Sequence, residues 1–147
     1  MFLKKFFSQS DLEFKYDDGG RSAAGYKGVT GDCVVRSIAI ATSIPYQKIY
    51  DDLYKANQIF RTTSKTKLAK SLKPSNDSPR TGTHRIILKK YLSQLGWTWT
   101  PTMFIGKGCK VHLKKNELPT GIIIASCSKH ITVVKNGVLY DTYNCSR

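Results

Sequence analysis

Three side chains in this sequence have the types and surroundings needed for nucleophilic attack on a carbonyl carbon: Cys33, His130 and Asp141. Cys33 follows Gly31 and Asp32 and runs straight into the apolar segment from Val34 to Thr42, so its thiol stands where a loop becomes a buried helix. The N–H groups and dipole at a helix start favour thiolate over thiol, and the thiolate is the reactive form. His130 opens a strand–turn–strand unit that ends at Asp141, bringing back a base and a carboxylate along one hairpin. Together these would be a nucleophile, its base and the group that orients the base.

The hairpin must position two of the three. Asn136-Gly137 is a strong two-residue turn signal, which sets Lys135 opposite Val138, Val133 opposite Tyr140, Thr132 opposite Asp141 and His130 opposite Tyr143. Side chains alternate along a strand, so His130, Thr132 and Val134 share a face with Leu139, Asp141 and Tyr143. His130 and Asp141 become diagonal cross-strand neighbours, while Asn144 points the other way. In the expected mechanism Cys33 attacks and His130 pairs with the thiolate, then protonates the leaving amine, with Asp141 fixing the imidazole tautomer. The Cys33 backbone N–H supplies one oxyanion donor and the second is left open. Taken singly, each has an ordinary structural reading, as a buried thiol, a strand histidine and a surface carboxylate. The shared face is what sets them apart.

Residues 1–25 read as an N-terminal extension and 26–147 as one domain. The apolar segment after Cys33 is a helix buried on most faces, broken only by Arg36 and Ser37. Pro45 suits the first turn of a second helix through about Asn57, with Ile49, Leu53 and Ala56 as its stripe. Residues 61–82 read as a basic loop with a short helix around Lys67 to Leu72. Thr83 suits an N-cap for a helix through Leu95, and Gly96 ends it. Strand-like segments follow at 97–102, 121–126, 131–135 and 138–143. Helices first and antiparallel strands afterwards predict an α+β fold.

Composition narrows the setting. The chain has 147 residues, enough for a single domain with a real core, and no apolar run reaches the roughly 18 residues that span a bilayer. Met1 to Phe7 lacks the apolar run of a signal peptide and is expected to pack on the domain or fray. Four dispersed cysteines without an export signal suit reduced thiols in a cytoplasm. A net charge of +14 favours nucleic acid or an acidic protein as a partner, and Lys65, Lys67, Lys70, Arg80 and Arg85 are the candidate contacts.

Cys109-Lys-Val-His112 and Cys127-Ser-Lys-His130 are two C-x2-H pairs, with Cys145 as a further thiol, a set that suits tetrahedral zinc. Cys127 to His130 straddles a strand boundary and neither pair carries a knuckle glycine. No metal is therefore assigned, the expected chemistry needs no cofactor, and His84 and His112 receive no role.

Gly31-Asp32-Cys33 leading a buried helix, with His130 late on a hairpin and Asp141 on its return strand, resembles the papain-like cysteine peptidases, most nearly their compact bacterial and phage-type relatives. The segment Gly31 to Ala41 and Ser78 to Gly82 are also similar to small phage and plasmid proteins. The resemblance spans about residues 26–145 and rests on a few positions. It implies helices packed on an antiparallel sheet and a hydrolase acting on a peptide, isopeptide or side-chain amide. Where that family carries a glutamine shortly before the nucleophile, this chain has Lys27, which leaves Lys27, Thr30 and Asn116 as substitute donors. The alternative is a non-catalytic basic binding protein of the same fold.

Overall fold

The computed structural model describes residues 11–28, 30–103 and 106–146; the Met1 to Phe7 segment lies outside them. Helix α1 (Cys33–Thr42) is apolar almost all round, and Val34 through Ala41 are all buried. Ser43 ends it by turning left-handed at φ 60° and returning its N–H to the Ala39 carbonyl. Pro45 then precedes α2 (Tyr46–Thr63), which turns Tyr46, Ile49, Leu53 and Asn57 inward. Next come α3 (Lys67–Ser71), two short 3₁₀ turns (Pro74–Asp77 and Pro79–Thr81) and α4 (Arg85–Gln94), whose Ile87, Leu88 and Leu92 face the core.

Four strands form one sheet among the described residues: β1 (Glu13–Tyr16), β2 (Ile122–Cys127), β3 (His130–Lys135) and β4 (Val138–Asp141), in the order β1-β4-β3-β2. The β2/β3 and β3/β4 pairs are antiparallel, but β1 runs parallel to β4, so the sheet is mixed rather than the antiparallel one expected. Glu13 to Tyr16 belong to the segment read as an extension. Polar and aromatic residues alternate along them, but all four are exposed, so neither face is buried and they join the sheet through the free backbone edge of β4.

The expected hairpin register is observed, with Lys135 opposite Val138, Val134 opposite Leu139 and Val133 opposite Tyr140. Asn136 and Gly137 both take positive φ, 47° and 82°, as a type I′ turn requires. The two faces of β3 then part company. Ile131 and Val133 pack on α1 side chains, Val34, Val35 and Ile38 among them. Val134 and Leu139 pack with Leu12, Leu113, Leu118 and Cys145.

Two segments differ from expectation. Residues 61–82 are not a loop: α2 continues to Thr63, and the following turns are clamped back onto it. Arg61 grips Asp77 through two contacts of 2.8 and 2.9 Å, Asn57 Nδ2 donates to the Asp77 carbonyl, and Tyr50 meets Ser78 at 2.9 Å. The polar composition that suggests a loop is what makes the clamp. Trp97 to Thr102 form no strand, because Trp97 and Trp99 are spent as plugs against the helical core.

Candidate functional site

His130 Nε2 lies 2.7 Å from Asp141 Oδ2, the diagonal contact that the hairpin register requires. His130 is 14% exposed and Asp141 5%, so the bond is largely shielded from water. Asp141 is the last residue of β4, and its other oxygen accepts the Thr142 N–H at 2.7 Å. The His130 ring packs on Tyr143 with centroids 5.1 Å apart. Bonding through Nε2 leaves Nδ1 as the ring atom available for chemistry.

Behind Asp141 stands a charge network that the sequence reading missed. Arg36, one turn along α1 from Cys33, places NH1 3.5 Å from Asp141 Oδ1 and 2.6 Å from Thr142 Oγ1. Its Nε lies 3.1 Å from Asp32 Oδ1. Asp32 Oδ2 in turn meets Arg21 Nε at 3.0 Å and accepts the Tyr46 hydroxyl at 2.6 Å. Both Nε contacts with Asp32 fall outside hydrogen-bond geometry, so their attraction is coulombic. Burial, and then the Asp32 bond, push the Tyr46 hydroxyl well above its ordinary range, which keeps it a donor. Arg21, Asp32, Arg36 and Asp141 thus balance two cations against two carboxylates in the interior. A signal was present: an arginine inside an otherwise apolar helix must find buried anions, and Asp32 sits at the i−4 position.

Cys33 is the first residue of α1 and is half-buried against the helical core. Asp32 occupies the N-cap position but spends its carboxylate on Arg21, Arg36 and Tyr46, so no side chain caps the first turn. Uncapped N–H groups are the donors an oxyanion needs. One turn on, Ser37 Oγ donates to the Ile131 carbonyl at 3.0 Å, docking α1 on β3 beside His130. Burial, then the charges of Cys145, Asp141 and Cys33, push the Tyr143 hydroxyl up. His130 and Asp141 are brought into direct contact. Among the described residues Cys33 makes no hydrogen bond or ion pair with either of them: it packs with α1 on the Ile131 side of β3, and it does not line the cleft of about 220 Å³ formed by Cys127, His130, Tyr143, Asn144, Cys145 and Ser146.

Of the substitute oxyanion donors, Thr30 Oγ1 and the Lys27 carbonyl are engaged by Arg21, and Asn116 is exposed. All four cysteines are free thiols. Burial pushes the Cys127 and Cys145 thiols up. The two C-x2-H pairs part: His112 Nδ1 pairs with Glu117 at 2.9 Å, whereas His130, Asp141 and Cys145 offer donor atoms all within 4.8 Å of one another. Lys65, Lys67, Lys70, Arg80 and Arg85 are all exposed; Arg85 and Lys89 lie over the Trp99 ring at 5.8 and 4.7 Å. No protein-family model matches this chain, and no curated protein or solved structure matches it significantly.

Proposed function

We propose that this protein is a small cysteine hydrolase of papain-like arrangement that cleaves an amide bond, in a peptide, an isopeptide or a side-chain amide. Cys33 is the nucleophile, His130 its base and later the acid for the leaving amine, and Asp141 the group that holds the imidazole. The first-turn N–H of Cys33 contributes to the oxyanion hole. The observation that carries this reading is the shielded 2.7 Å bond between His130 and Asp141, braced by Arg36 from the helix that begins at Cys33. A structural histidine needs no such second support. A reducing cytoplasm, host-derived for a phage- or plasmid-encoded chain, is the setting that keeps the thiols free.

The test is the rate of alkylation of each thiol by iodoacetamide at mildly acidic pH, read by peptide mass spectrometry. Cys33 should react ahead of the exposed Cys109, and His130→Ala should remove the advantage. Cys33 reacting no faster than Cys109 would sink the reading.

The second reading, a basic binding protein contacting nucleic acid or an acidic protein, draws on the exposed cations Arg85 and Lys89, which lie over the partly exposed ring of Trp99 at the edge of the helical core. Such a cationic aromatic face suits single-stranded nucleic acid. It predicts salt-sensitive heparin retention that survives Cys33→Ala and drops in an Arg85→Ala/Lys89→Ala variant.

A further inference from the structure

We propose that His130, Asp141 and Cys145, whose donor atoms all lie within 4.8 Å of one another, form a site for one thiophilic divalent cation of the Zn²⁺ type, with Cys127, which lines the same cleft outside that cluster, swinging in as the fourth ligand. The feature that argued against zinc in the sequence, a C-x2-H pair straddling a strand boundary, is what assembles the site. Cys127 and His130 close the β2–β3 hairpin as directly paired residues, and opposite residues of an antiparallel pair project on the same face. Lys129 takes φ 57° to make that turn. Asp141 comes from the end of β4 and Cys145 from the tail just beyond it, and both thiols open on the same cleft as His130.

The distances suit the ion. Zinc bonds of about 2.0–2.2 Å to nitrogen or oxygen and about 2.3 Å to sulfur place tetrahedral ligand atoms about 3.3–3.7 Å apart. His130 Nε2 and Asp141 Oδ2 are 2.7 Å apart, and Cys145 Sγ and Asp141 Oδ2 are 3.9 Å apart. The first pair must open by at least about 0.6 Å and the second close by about 0.2 Å or more, movements within reach of side-chain rotation. The ion replaces the proton shared by His130 and Asp141, and two thiolates with one carboxylate offset its charge.

An outer shell is already present. Asp141 Oδ1 is held by the Thr142 N–H at 2.7 Å and faces Arg36, leaving Oδ2 as the ligand atom. The Thr132 hydroxyl is wholly buried, makes no hydrogen bond of full geometry and is turned toward the Cys145 sulfur. An orphaned donor at that position would be satisfied by a thiolate. Cys109 and His112 are left out, because their polar atoms are taken by the Val111 carbonyl and by Glu117.

This site rests on its own geometry and not on the catalytic reading. Where both hold, an ion on Nε2 keeps the ring neutral with its proton on Nδ1, so His130 can no longer take the Cys33 proton and the rapid alkylation stops. The experiment is calorimetric titration of the reduced, metal-stripped full chain with Zn²⁺, with the Co²⁺ form read by its thiolate-to-metal absorption. One ion per chain and a thiolate–Co²⁺ band are expected. Cys145→Ser, a near-isosteric change whose folding is checked by its melting curve, should weaken binding at least about tenfold, as should Cys127→Ser. Cys33→Ala and the Cys109→Ser/His112→Ala double variant should bind as the parent does. Absence of binding, full affinity in Cys145→Ser, or loss of affinity in Cys33→Ala or in the double variant would each overturn the proposal.

Discussion

Replacing Arg36 with methionine tests whether the charge network holds the site together. The side chain is 9% exposed and reaches Asp32 at 3.1 Å, Asp141 at 3.5 Å and Thr142 Oγ1 at 2.6 Å. Methionine keeps most of the aliphatic bulk, so the change removes charge and donors rather than opening a large cavity. Breaking a buried ion pair by deleting one partner costs about 3–5 kcal/mol, because the other charge is left uncompensated. Here Asp32 keeps Arg21 and the Tyr46 hydroxyl, and Asp141 keeps His130 and the Thr142 N–H, so the lower end, about 3 kcal/mol, is expected.

With a urea m-value of about 2 kcal/mol/M, the unfolding midpoint falls by about 1.5 M. The deficit should persist at high salt, since buried charges are poorly screened. A double-mutant cycle with Asp141→Asn isolates the link from α1 to β4, with a coupling of about 0.5–3 kcal/mol. A loss below about 1 kcal/mol, the value of an exposed pair, would refute the claim that Arg36 braces the site.

Three further outcomes can be checked, the first resting on the proposed Cys33–His130 pairing and the other two on the structure. His130→Ala should slow Cys33 alkylation at mildly acidic pH by about a hundredfold, the scale of the thiolate fraction lost when an imidazole partner is removed, and Asp141→Asn should slow it less. The hydrogen bonds from Arg61 hold the Asp77 carboxyl below 3.8; a depressed carboxylate stabilises the fold above its unfolded value and loses that contribution as pH falls through its folded value. Urea midpoints of the parent and of Asp77→Asn should therefore differ at neutral pH and converge as the pH drops below 3.8. Gly19→Ala should destabilise by at least about 1–2 kcal/mol, the cost of a side chain at its φ of 68°, with a further cost because the new Cβ would sit 2.8 Å from the Arg36 carbonyl oxygen; thermal melting measures it.

The parts of the site that were legible are those fixed by local rules. Asn136-Gly137 demands a left-handed two-residue turn, that turn sets the register, and the register makes His130 and Asp141 diagonal neighbours. The α1 segment is readable for a similar reason, since near-continuous apolar residues require burial. Ser128-Lys129 carries no such chemistry, so the second hairpin, and with it the pairing of Cys127 with His130, is set by the sheet and not by the turn. β1 is silent because its side chains contact little and its backbone does the pairing. Residues 61–82 mislead because their turns are held by Arg61, Asp77 and Asn57 rather than by apolar periodicity.

Arg36 marks the boundary between these cases. Its partner Asp32 is a matter of helix spacing and was available to sequence reasoning. Its partner Asp141 lies on the last strand, and no local rule connects them. Yet the requirement for anions follows from burial alone, because an unpaired guanidinium in an apolar helix costs more than the helix can supply. The helix that begins at Cys33 and the distant Asp141 are therefore joined by the one charged residue of that helix. A lone charge inside a buried helix is the sequence feature from which a carboxylate-supported site can be sought, before any distance is known.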